Sequence, residues 1–416
     1  MLNFKKYNSD SKKDINIINL EEIINNLDSK KALGSDFFGW HQYLVDFNFS
    51  LIDKIKIDLK PFQEKASTMV VIGIGGSYLG TYAFEQALNN QKNKFQLLYV
   101  GNNISSDYLI EVYEYCQEND FVLNVISKSG STLETALAFR MFNDLLINKY
   151  GHKALKDRLI ITTGDSGNLY EYALKHNLLK YDIPNDIGGR YSVFTPVGLI
   201  PLAFINLDIT QIIKAAQQAA TIYYQVNENN LAYLYATERY NQYNNDKVVE
   251  AFINYEPSLQ GLMEWLKQLF GESEGKDNKG LLPISLTFST DLHSLGQFIQ
   301  GGPKVLFETT IHIKSALKNK EIVHLDDDFD KLNQLSGLTI KEIADKIEDS
   351  VLTAHSLEGK IPNYVIEIER IDEANLAHLM TFMMYACMYS AYLLEVNPFD
   401  QPDVEIYKKE VKKALQ

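Results

Sequence analysis

Residues 127–132, Ser-Lys-Ser-Gly-Ser-Thr, separate an apolar run, Phe121 to Ile126, from Leu133, Ala136, Leu137 and Arg140 at helical spacing. A short buried strand, a hydroxyl-rich loop and a helix aim several backbone N–H groups and the positive end of a helix dipole at one spot. A phosphate of roughly −1.5 to −2 charge is well held there, with serine and threonine hydroxyls as short donors. The same residues have a plainer reading, because Ser131-x-x-Glu134 is also a capping box.

Five other stretches carry reactive or glycine-framed residues. After a strand at Met69–Ile74, Gly73-Ile-Gly75-Gly76-Ser77-Tyr78-Leu79-Gly80 enters a helix. It is not a dinucleotide fingerprint, since the third glycine would fall at Tyr78, where a bulky side chain blocks close approach. It is either a tight strand-to-helix turn or a second wall of the same polar pocket, with Ser77 at the helix start. Gly188-Gly189-Arg190 either presents a guanidinium free of crowding or leaves an arginine in a surface loop. Gly271-Glu272-Ser273-Glu274-Gly275 sets two carboxylates between glycines at a helix end, which by itself reads as a solvated acidic turn. His293, in the first turn of a helix over Asp291–Gln300, is a solvated or packing residue or else an acid–base group. Phe399 to Lys408 opens a terminal helix that carries a lysine.

The elements around these residues alternate strand and helix. Strands at Met69–Ile74, Gln96–Val100, Phe121–Ile126 and Arg158–Thr163 predict an α/β fold with a doubly wound parallel sheet. Both glycine-rich turns follow strand carboxyl ends and should share one edge of that sheet, where such folds bind ligands. A second series follows a polar helix at Leu231–Tyr243. Its strands are Val248–Asn254, Leu281–Thr287, Val305–Ile313 and Tyr364–Glu369, with a helix at Leu259–Phe270. Residues 1–55 read as a helical segment in which His41 packs among aromatic residues. The charged insert from Lys314 to Lys360 holds a helix opened by Thr339-x-x-Glu342. Ala374–Leu394 lacks formal charge and could span a bilayer, but His378, Thr381, Ser390 and acidic flanks mark it as a buried core helix.

At 416 residues the chain can hold two or three domains. A formal charge of −14 excludes general nucleic-acid binding, so an anionic substrate needs a local positive pocket. Two cysteines, Cys116 and Cys387, make no disulfide framework and have no metal-ligand spacing, which fits a reducing cytoplasm. The N-terminus has no apolar core of a secretory signal.

Six motifs in order, VIGIGGSYLG, ISKSGSTLET, GGRYSVFTPVGL, QLFGESEGK, DLHSLGQ and FDQPDVEIYKK, resemble those of the glucose-6-phosphate isomerase family between about Phe37 and Lys409. The last departs from the family pattern at Asp403, where a small residue is usual, and keeps Gln401, Glu405 and Lys408. The resemblance implies two sugar-isomerase (SIS) domains, 56–225 and 226–398, and a C-terminal helix, 399–416, that completes the site. It implies reversible isomerisation of glucose 6-phosphate and fructose 6-phosphate in glycolysis and gluconeogenesis, by ring opening and a cis-enediolate. No metal or cofactor is implied, and no nucleic-acid or membrane partner. The enzyme would be a cytoplasmic homodimer with shared active sites. Glu272 is then the base, Arg190 the enediolate stabiliser, and His293 with Lys408 the ring-opening pair, His293 coming from the neighbouring subunit. Gly76, Ser77, Ser127, Lys128, Ser129 and Thr132 would form the phosphate and sugar cradle. Gln268, Gln401 and Glu134 would complete the pocket.

Overall fold

The computed structural model describes residues 2–9, 17–88 and 93–415. Within them ten strands form two five-stranded sheets. The first sheet has the order β3-β2-β4-β5-β6, from β2 (Thr68–Ile72), β3 (Gln96–Val100), β4 (Phe121–Ser127), β5 (Leu159–Thr163) and β6 (Leu179–Asp182). All its pairings are parallel. Every residue of β2, β4 and β5 is buried, as expected of valine- and isoleucine-rich strands covered on both faces. The chain runs outward from β2 to β3 and returns to β4 on the other side. The winding therefore reverses between β2 and β4, where Ile72 lies opposite Val125. A crevice opens at such a reversal, and both glycine-rich turns leave the sheet there, on one edge as expected.

The second sheet has the order β1-β10-β9-β7-β8, with β7 (Val249–Asn254), β8 (Leu282–Thr287), β9 (Leu306–Ile313) and β10 (Asn363–Ile368) mutually parallel. Its outermost strand is β1 (Asn3–Tyr7), antiparallel to β10. The N-terminal segment is thus not wholly helical, as the sequence reading had it. The strand is short and polar, a composition suited to a sheet edge, and it is held by Phe4 stacking on Tyr364 and by Lys5 on Glu367 at 2.5 Å. β6 also escaped the pattern, being four residues with a lysine and an aspartate. The helix expected to end at Phe270 runs on to Glu274, which puts Glu272 in its last turn rather than in a loop. The helix expected at Asp291–Gln300 is instead a 3-10 turn, Thr290–His293, followed by a short helix, Gly296–Gly301.

The long apolar stretch is the core helix, Glu373–Leu393, buried at every position from Leu379 to Ala391. It packs on the helices Ile209–Tyr223, Leu231–Asn244 and Gln260–Glu274. Its polar groups are satisfied internally: Thr381 Oγ1 donates to Ala377 O, and His378 Nε2 meets Tyr223 OH at 2.9 Å. Burial lowers the His378 pKa to about 4 and leaves the ring neutral. Among the described residues no helix is long and apolar enough to cross a membrane. The two halves of the chain touch where the helix Gln260–Glu274 lies against Leu79–Leu88. A Cβ on Gly261 would fall 2.9 Å from Tyr82 O, so the helices approach to backbone distance.

The carboxyl end of the Gln260–Glu274 helix is pinned by a fully buried ion network. Arg239 Nε donates to Glu250 Oε2 of β7 at 2.7 Å, its Nη atoms grip both oxygens of Glu274, and Nη1 also reaches Ser390 Oγ at 2.6 Å. The guanidinium lies 4.0 Å from the centre of the Phe270 ring. Burial raises the Glu274 pKa against the opposing pull of Arg239. Removing the shared cation strands two buried carboxylates. Arg239→Met should therefore destabilise the fold by about 3–5 kcal/mol, seen as a lower denaturant midpoint. A wild-type midpoint would show that the network contributes nothing.

Candidate active site

Arg190 is the best-connected of the predicted site residues. The turn Gly189–Tyr191 is fixed by Ser192 Oγ donating to Gly189 O at 2.7 Å. The next ring, Tyr191, stacks on Trp40 at 5.3 Å and meets the edge of Phe399. His41, beside Trp40, is a packing residue as expected: it stacks on Phe38, bonds Tyr385 OH, and burial lowers its pKa to about 4. Arg190 is 2% exposed. Its Nε donates to Ser273 Oγ at 2.8 Å, and Nη1 to Gln401 Oε1 at 2.9 Å and Glu272 Oε2 at 3.2 Å. Nη2 donates to Pro398 O at 2.7 Å, Asp400 O at 3.3 Å and Glu272 O at 3.4 Å. The surface-loop alternative for this arginine is excluded.

The two carboxylates of Gly271–Gly275 have opposite surroundings. Glu274 is enclosed by Arg239, whereas the Glu272 side chain is 37% exposed and shares its contacts between Arg190 and Gln268, whose Nε2 donates to Oε1 at 3.3 Å. Gln268 Oε1 is buried without a partner among the described residues. Glu272 is therefore the carboxylate beside a fixed cation with an accessible edge, the arrangement a proton-transfer base requires.

The residues expected to form the cradle lie in the two turns that leave the first sheet, of which the 75–77 turn touches this cluster. Gly75, Gly76 and Ser77 form a 3-10 turn after β2. A Cβ on Gly75 would lie 2.8 Å from Gln268 Nε2, and one on Gly76 would lie 2.1 Å from the carbonyl carbon of Gly189. Only glycine lets this turn, the Arg190 loop and the Gln260–Glu274 helix converge. In the second turn Ser127 Oγ accepts from Gly130 N at 3.1 Å, and Ser129 Oγ accepts from Ser131 N and Oγ. The helix Leu133–Tyr150 starts with Thr132 as its N-cap and no side-chain cap bond, so the Ser131–Glu134 capping box does not form. Thr132 and Ser77 have no hydrogen bond to other described residues that would hold their hydroxyls. Glu134 stands in the first turn of the same helix. Lys128 Nζ donates to Asn185 O at 2.7 Å and Ile187 O at 3.2 Å, tying the 127–132 turn to the loop before Arg190. Burial lowers its pKa, with Asp186 opposing.

Two predicted residues are not brought to Glu272 within one chain. His293 ends the 3-10 turn after β8, is exposed, and makes no bond with the Arg190 group. Lys408 lies on the exposed helix Val404–Ala414 and pairs with Glu405 at 2.7 Å. Asp403 is the exposed N-cap of that helix, a position that favours a negative charge. Sequence reasoning missed Ser273, Lys276 and the carbonyls of Pro398 and Asp400. The carbonyls leave no mark in a sequence, whereas Ser273 and Lys276 lie within a motif already singled out. One group among the described residues could hold a metal, His312, Asp345 and Glu348, with ligand atoms within 4.8 Å of one another. Lys341 already pairs with Asp345 there, and His312 Nδ1 bonds Glu348 Oε1 at 2.9 Å, which raises the His312 pKa.

Comparison with known proteins gives a consistent family. The sequence profile described as phosphoglucose isomerase matches residues 60–416. A glucose-6-phosphate isomerase of Mycoplasma capricolum is 42% identical over 400 residues, covering 95% of this chain and 94% of that protein. A solved structure from Thermus thermophilus, described as a hypothetical protein, superposes with a TM-score of 0.87 at 26% identity, covering 96% and 95% of the two chains. A glucose-6-phosphate isomerase from Chlamydia trachomatis shares the fold, with a TM-score of 0.79 at 19% identity over 100% of this chain and 88% of that one. The expected α/β class with two parallel sheets holds, the second sheet adding β1 as an antiparallel edge.

The backbone contact at Gly76 carries a direct test. Gly76→Ala must push the Gly189–Arg190 peptide away, because the new methyl would also fall 2.7 Å from Arg190 N. A displacement near 1 Å at a catalytic group costs roughly 10²-fold in rate, so kcat/KM for the expected aldose–ketose conversion should drop by about that factor. Unchanged kinetics would mean that the turn does not set Arg190.

Proposed function

The chain belongs to the phosphoglucose isomerase family, and on that premise we propose how its side chains carry out the reaction. The protein is an aldose–ketose isomerase that interconverts glucose 6-phosphate and fructose 6-phosphate, a step of glycolysis. The single observation behind the assignment of roles is the Glu272–Arg190 contact: an accessible carboxylate 3.2 Å from a buried guanidinium.

Phosphate binds at the 75–77 and 127–132 turns, where Ser77 and Thr132 hydroxyls and helix N-termini face an anion. This binding is remote from the reacting carbons and positions C1 and C2. His293 and Lys408 open the sugar ring by moving a proton to the ring oxygen and taking one from the C1 hydroxyl. Glu272 then takes the proton from C2, and the electron pair forms the C1–C2 double bond of a cis-enediolate. The charge gathers on the oxygens at C1 and C2, beside the Nη1 edge of Arg190, which cannot lose its proton. Return of the proton to C1, with the hydroxyl proton on O2 passing to O1, gives the ketose. Gln268, with an unpartnered buried oxygen, Gln401 and Glu134 complete the polar wall.

The working unit is a homodimer in which His293 serves the partner's Glu272. Supporting this, His293 is exposed beside two exposed apolar side chains, Leu295 at 39% and Phe298 at 48%. The unit is cytoplasmic, consistent with two unpaired buried thiols, Cys116 and Cys387. Its domains are 56–225 and 226–398, with the C-terminal segment from 399, which carries the helix Val404–Ala414, closing on the site.

Fructose 6-phosphate incubated with the protein in D₂O should yield glucose 6-phosphate carrying deuterium at C2, read by NMR. Partial labelling is expected where a shielded carboxylate returns the same proton. Glu272→Gln should abolish turnover while the sugar phosphate still binds, and full activity in that variant would remove Glu272 as the base. Mixing inactive His293→Ala with inactive Glu272→Gln, after dissociation and reassociation, tests the shared site. Random pairing puts one intact site in each mixed dimer, so roughly a quarter of wild-type turnover should return. No recovery would place His293 in its own chain's site.

A further inference from the structure

We infer that Lys276 is a positioning residue of the isomerisation: its buried ammonium clips the end of the Glu272-bearing helix to the 397–400 segment and so fixes the seat of Arg190. The inference rests on the reading of Arg190 as the enediolate stabiliser.

Lys276 is 8% exposed and lies two residues beyond the helix Gln260–Glu274. Its Nζ donates to Ser273 O at 2.9 Å and to Asn397 O, and stands 3.3 Å from Asp400 Oδ1. Two of the three N–H donors of the ammonium are taken by these backbone carbonyls, and its charge is paired with the Asp400 carboxylate. Two of the acceptors belong to residues that also hold Arg190: Ser273 Oγ takes Nε, and Asp400 O takes Nη2. Asn397 precedes Pro398, whose carbonyl is the nearest acceptor of Nη2. The ammonium thus joins the two walls of the arginine seat from behind. It also caps a helix carbonyl at the terminus where a cation is favoured.

A second cation beside a buried arginine is electrostatically unfavourable. Burial lowers the Lys276 pKa first and the Arg190 charge lowers it further, against the opposing pull of Asp400. An apolar residue would avoid that penalty but leave the Ser273 and Asn397 carbonyls without their donor. The arrangement makes sense if the separation of the two walls matters more than the repulsion. With two backbone carbonyls on its nitrogen and the Asp400 carboxylate beside it, Lys276 acts on the reaction through Arg190.

The test is a double-mutant cycle on purified full-length enzyme, with Lys276→Met, Arg190→Ala and the pair, following kcat and KM for fructose 6-phosphate. Lys276→Met should lower kcat roughly tenfold to a hundredfold, the range for partners that orient reacting groups, with KM held within about threefold. The double variant should be no slower than Arg190→Ala alone within a factor of about two, because the clip has nothing left to position. K276C alkylated with 2-bromoethylamine rebuilds the ammonium and should recover most of the lost kcat. Wild-type kcat in Lys276→Met overturns the inference, as does a double variant slowed by both factors multiplied. If Lys276→Met does not fold, Lys276→Gln, which keeps one donor, takes its place in the same cycle. Wild-type turnover in Arg190→Ala would instead sink the reading of Arg190 itself, whatever Lys276 does.

Discussion

A permanently charged guanidinium buried to 2% exposure must be surrounded by acceptors, and meeting that demand at Arg190 organises the rest of the site. The acceptors come from the last turn of the Gln260–Glu274 helix and from residues 398–401, far from Arg190 in sequence. The turn after β2 supports the same loop through backbone contact at Gly76. Four segments therefore have one arrangement in which the cation is satisfied. The edge that carries Nη1 is left facing the side chains of Glu272 and Gln401, a fixed cation on the side of the half-exposed carboxylate.

The neighbouring glutamates show how the fold assigns different roles to the same residue type. Glu274 and Glu272 lie on one helix turn, separated by Ser273. Rotation about the helix axis sends Glu274 inward to Arg239 and Ser390, and Glu272 outward to the crevice. The inward carboxylate anchors the helix end to β7 and to the core helix, and the outward one takes its position from that anchor. An anchoring carboxylate and an accessible one thus stand two residues apart.

The parallel sheets were legible because runs such as Thr68–Ile72 and Phe121–Ser127 are apolar throughout and end in glycine-rich turns. Their convergence followed from the reversal of winding between β2 and β4. Local pattern did not decide which of two equivalent motifs would cap a helix. Thr339-x-x-Glu342 forms both bonds of a capping box, whereas in Ser131-x-x-Glu134 the serine hydroxyl turns to Ser129 and the helix begins one residue later. Nor could spacing choose Glu272 over Glu274, since Arg239 and Ser390 make that choice from 35 or more residues away. The family resemblance supplied what spacing lacked there, but it was silent on Lys276 and on the carbonyls that seat Arg190.

The order in which these parts leave the ribosome has a consequence of its own. β2 to β6 are contiguous in sequence and can pair while the second half is still being made. Arg190 emerges soon after them, yet Pro398 and Asp400 come only near the end of translation, and β1 must likewise wait for β10. A chain that terminates early would carry a finished first sheet and an arginine whose acceptors were never synthesised. Such a product leaves its guanidinium solvated and its turn unseated, so the seat of Arg190 closes only with the last stretch of polypeptide.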